Sequence, residues 1–91
     1  MPKNSKSRSK FAQWLLVEIA RAGLTQQELA FHAGLHENTI SKLMQSKGHP
    51  KITTFLYICE ALAAFQLHEE FTRAEKQQLA DQLFLEGIRK L

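Results

Sequence analysis

The chain has 91 residues, 44% of them hydrophobic and 23% charged, with a formal net charge of +3. That length supplies one small helical core and no second domain, and the absence of a long apolar run excludes a membrane-spanning protein. Cys59 is the only cysteine, which excludes an internal disulfide, and the basic start is not followed by the apolar stretch of a secretory leader, so a cytoplasmic protein is expected.

In chain order, residues 1–9 read as a flexible basic arm. Lys3, Lys6 and Arg8, with Lys10 just beyond, meet no acid there. Such an arm either follows a polyanion or is a solvated tail. Phe11, Leu15, Ile19 and Ala22 recur at helical spacing, which predicts a helix over Lys10–Ala22 with Ser9 as its cap and Gly23 as its stop. Thr25-Gln26-Gln27-Glu28 fits a capping box, so a second helix is expected over Gln26–Ala33. A third runs over Glu37–Ser46, started by His36, a poorer cap than Ser, Thr, Asp or Asn. Lys47-Gly48-His49-Pro50 breaks the chain, and residues 53–65, apolar round most of their girth, predict a central fourth helix. After a linker over 66–71, Thr72-Arg73-Ala74-Glu75 is a second capping box. It opens a C-terminal amphipathic helix with the stripe Leu79, Ala80, Leu83, Phe84, Ile88 and Leu91. The expected fold is all-α and compact, with five helices.

The second and third helices carry the most informative spacing. Gln26, Ala30, Gly34 and Ile40 follow one another at steps of four, four and six. Ala30 is small where two helices must cross closely. Gly34 follows the last turn of its helix, where a left-handed backbone costs glycine least. Ile40 falls one turn into the next helix, facing Leu29 and Ala30. This is the spacing a helix-turn-helix requires, and DNA binding is the leading reading.

The run LTQQELAFHAGLHENTISKLMQSKGHPKITTFLYICEALAAF, from Leu24 to Phe65, resembles the lambda-repressor-like, Cro and cI-type, helix-turn-helix family. It has that family's Thr-Gln start, Leu-Ala, Gly, Ile-Ser pair, Lys-Gly loop, Pro, and a last helix ending in Ala-Leu. Met44 stands where such proteins often have Glu, and His36 where they often have Ser or Thr. The resemblance implies a DNA-binding domain over residues 10–65, with the early residues of its second motif helix in the major groove of double-stranded DNA.

With Ile40 and Leu43 facing the core, periodicity turns Glu37, Asn38, Ser41, Lys42 and Gln45 outward. Asn pairs with adenine, Lys with guanine and Glu with cytosine, so Glu37, Asn38, Ser41 and Lys42 are the candidates for reading bases. Thr39 and Gln45 are assigned to phosphates. Gln26 matches the family's phosphate-contacting glutamine at a helix N-terminus, and Lys47 and Lys51 are placed to hold the next phosphates.

Residues 66–91 are expected to form a linker and a dimerisation or partner-binding element, with Leu79, Leu83, Phe84, Ile88 and Leu91 at the interface. A homodimer on a palindromic operator is the preferred account. Packing as a fifth core helix is the alternative, and partial packing with a partner-facing remainder lies between the two. No catalytic set is evident. His32 and His36 are four apart but separated by Gly34, with no third ligand near, so they read as turn and cap residues and neither a metal nor a cofactor is expected. The function expected is a transcriptional regulator, most simply a repressor. A protein-interaction module on the same fold, such as an antitoxin that binds a toxin through its terminal helix, is the other reading.

Overall fold

The computed structural model describes residues 9–45, 50–67 and 71–91. Within them lie five α-helices: α1 (Lys10–Ala22), α2 (Gln26–Ala33), α3 (Glu37–Met44), α4 (Ile52–Gln66) and α5 (Arg73–Lys90). Local chemistry accounts for most boundaries. The Ser9 hydroxyl accepts from the Ala12 N–H at 3.0 Å. Both capping boxes close, Glu28 N–H donating to Thr25 Oγ1 at 3.1 Å and Glu75 N–H to Thr72 Oγ1 at 3.2 Å. Gly23 and Gly34 end α1 and α2 at φ 71° and 72°, the left-handed region that a side chain would strain. Three ends differ from the sequence reading. Helix α3 stops at Met44 with Gln45 in a turn, and α4 starts at Ile52, one residue before Thr53, and runs through Gln66. Ser46 and the Lys47-Gly48-His49 breaker lie outside the described residues, as do residues 1–8 of the arm.

All five helices contribute to one core. Leu15, Leu29, Ile40, Phe55, Ile58 and Leu62 are almost fully buried. Phe55 is the hub of an aromatic cluster, with ring centroids 5.3 Å from Phe11, 5.9 Å from Trp14 and 5.2 Å from Phe84. That joins α1, α4 and α5. Behind it, Glu18 of α1 is buried and accepts from Gln66 Nε2 at 2.9 Å, while Arg21 reaches its other oxygen at 3.6 Å. The same Gln66 nitrogen donates to the Glu18 carbonyl, so the end of α4 is fastened to α1. Cys59 is buried, and that burial, with the negative charges of Glu60, Asp81 and Glu18, pushes its thiol up to about 12.

The C-terminal helix packs part of its stripe against its own chain. Helix α5 packs on α4 and α1, burying Ala80 and Leu83 and setting Leu79 and Phe84 against the core. Leu79, Leu83 and Phe84 therefore face their own chain, because Phe55 and its neighbours would otherwise lie open to water. Ile88 and Leu91 remain exposed, at 40% and 45%. The contact is close at Gly87, where an added Cβ would fall against Phe55 and within 2.8 Å of the Trp14 ring.

Candidate nucleic-acid interface

Helices α2 and α3 are joined by Gly34, Leu35 and His36. Leu29, Ala30 and Ile40 are buried in their contact, and Leu35 packs partly on the same core. The start of α3 rests on His36, whose Nδ1 accepts the Asn38 backbone N–H at 3.2 Å while its carbonyl accepts from Thr39 at 3.0 Å. Histidine thus fills the role a Ser or Thr usually plays. His32, by contrast, belongs to neither turn nor cap. It lies in α2, its ring 4.4 Å from that of Phe65.

Because Ile40, Leu43 and Met44 are buried, the remaining positions of α3 face outward. Glu37, Asn38, Lys42 and Gln45 are exposed, and Thr39 and Ser41 are half-buried. Glu37, Asn38, Ser41 and Lys42 thus come together on the two turns of one short helix. Gln26 is half-buried in the first turn of α2. The capping box there occupies the Thr25 and Glu28 N–H groups, leaving those of Gln26 and Gln27 without an intrahelical acceptor.

The lack of a side-chain cap at the start of α4, beside the Lys51 already assigned to phosphates, is a feature that the sequence reading does not give. Lys51 is exposed at the N-cap of α4, which has no side-chain capping bond, so the first amides of that helix have none of the satisfaction that Thr25 and Thr72 give theirs. The available signal was a lysine where a capping residue normally stands. Lys47, assigned to the same phosphate stretch, lies outside the described residues. Among the described residues no three His, Cys, Asp or Glu side chains gather where they could hold a metal ion. No helix there is long and apolar enough to cross a membrane.

A family model described as a helix-turn-helix domain matches residues 20–71, more than half of the chain. No curated protein and no solved structure gives a significant match. The matched span takes in α2, α3 and α4 whole.

Proposed function

Since this chain belongs to the helix-turn-helix domain family, and is on that ground a DNA-binding regulator, we propose that it is a sequence-specific repressor that occupies a palindromic operator as a dimer. The observation that carries the reading is the polar face of α3, with Glu37, Asn38 and Lys42 exposed on a helix whose other side is locked into the core. Asn38 and Lys42 have the donors that adenine and guanine edges accept, Glu37 accepts from cytosine, and Ser41 adds a short polar contact. Gln26 with its free amides, Thr39, Gln45, Lys47 and Lys51 hold phosphates on either side, fixing register without specifying sequence.

The dimer is argued from what α5 leaves uncovered. Ile88 and Leu91 are apolar, exposed and at the end of the helix, and their pairing across a twofold axis would present two α3 helices to one duplex. The test is selection of the protein against a random double-stranded library at physiological salt. An enriched inverted repeat supports an operator-reading dimer, an enriched single half-site removes the dimer, and no enrichment removes sequence-specific reading. A role in binding a protein partner is the second reading, favoured by Phe31 of α2, which is 78% exposed.

A further inference from the structure

A groove of about 830 Å³ runs between α1 and α5, and none of its lining residues lies on α2, α3 or α4. The DNA-reading machinery does not use it. Its apolar floor is Trp14 and Val17, the latter 50% exposed although it is a branched hydrophobe. Its rims carry Lys10 and Arg21 from α1 and Arg89 and Lys90 from α5. Among the described residues only Arg21 of these four has an acidic partner, Glu18, which is itself buried and shared with Gln66. Glu86 is the remaining acid of the lining, and its carboxylate accepts from Gln82. The groove therefore keeps a net positive field over an apolar floor. The indole Nε1–H of Trp14 is shielded from solvent and has no acceptor among the described residues.

Shape and charge select the occupant. Lys10 and Arg21 stand about three helical turns apart, roughly 16 Å, so the trough suits an extended or helical segment better than a compact metabolite. A duplex backbone would set phosphates against Glu86 and leave Val17 without an apolar partner. An amphipathic helix with acids on its flanks matches both the floor and the rims. The geometry points to a docking site for a short acidic amphipathic segment of a partner protein, its apolar side chains on Trp14 and Val17 and its carboxylates on Lys10, Arg21, Arg89 and Lys90.

Trp14 is the single tryptophan of the chain, so occupancy is directly readable. The probe is a synthetic peptide of about twelve residues, repeating Glu-Leu-Leu-Glu, titrated into the full chain while the indole Nε1–H resonance and the tryptophan emission are followed. Saturable shifts are expected. Arg89→Glu combined with Lys90→Glu should weaken binding at least about tenfold, whereas Lys42→Glu on α3 should leave it unchanged. Lys10→Glu, at the other end of the groove, serves as an independent variant should the double variant melt early. The proposal is overturned if the same peptide with Lys in place of Glu binds equally well, or if random duplex DNA moves the indole resonance at lower concentration. It is also overturned if sedimentation shows that the double variant dissociates a dimer of the chain, which would make a second copy the occupant.

Discussion

Asn38 and Lys42 stand one turn apart on α3, and both side chains are exposed. On the proposed reading, Asn38→Ala or Lys42→Ala costs about 1–3 kcal/mol at one base position and relaxes selectivity there. Gln26→Ala should weaken binding to operator and random DNA alike, and competition binding with single-base operator variants separates the two patterns. Cys59 makes a different forecast. The folded thiol keeps its proton to about pH 12, while the unfolded chain releases it near the ordinary 9.0, so ionisation favours the unfolded state between these values. Stability should be indifferent to this group below pH 9 and decline as pH rises from there toward 12, and Cys59→Ala should flatten that slope in denaturant titrations. At this scale the outward set on α3 was legible because Ile40 and Leu43 fix its phase. The Glu18 to Gln66 bond was not, since it joins residues 48 positions apart that no local pattern relates.

Elements were readable wherever their ends are chemically marked. Ser9, Thr25, Thr72, Gly23 and Gly34 set helix limits by bonds and backbone angles confined to a few residues. Helix α4 lacks such a mark, and its start was misplaced by one residue. The weak mark at α3 offers a test: His36→Asp puts a carboxylate at the positive end of the helix, so the domain should gain about 0.5–1 kcal/mol. The added negative charge beside the reading face should at the same time lower DNA affinity, a split that thermal melts and binding titrations resolve. Gly87 reverses the usual helix rule. Replacing an interior glycine with alanine ordinarily stabilises a helix, but here the new Cβ meets Phe55 and Trp14. Gly87→Ala should therefore destabilise by about 1–3 kcal/mol, read from the chemical-denaturation midpoint.

For the whole molecule, the unresolved question of the sequence was what covers the stripe on α5. Periodicity reports that a face is buried and is silent on whether the partner is the same chain. The structure answers for Ala80 and Leu83, which are buried, and for Phe84, whose ring packs on Phe55, and leaves Ile88 and Leu91 outside. Deleting residues 72–91 should consequently abolish cooperative thermal unfolding followed by circular dichroism, since it uncovers the aromatic hub. Double substitution of Ile88 and Leu91 by Ser should keep the fold and change only self-association in sedimentation. Oligomeric state is thus testable without disturbing the core, as removal of the helix could not do.

If α3 reads bases as proposed, its brevity sets how much information one copy can extract from a genome. Eight residues at 1.5 Å each make a rod of about 12 Å, the length of three to four base pairs at about 3.4 Å apiece. A word of four letters recurs by chance about every 256 base pairs, whereas two such words at fixed spacing recur about every 65,000. A single copy is nearly illiterate as an address reader, and its vocabulary becomes useful when a second reader is held at a fixed distance.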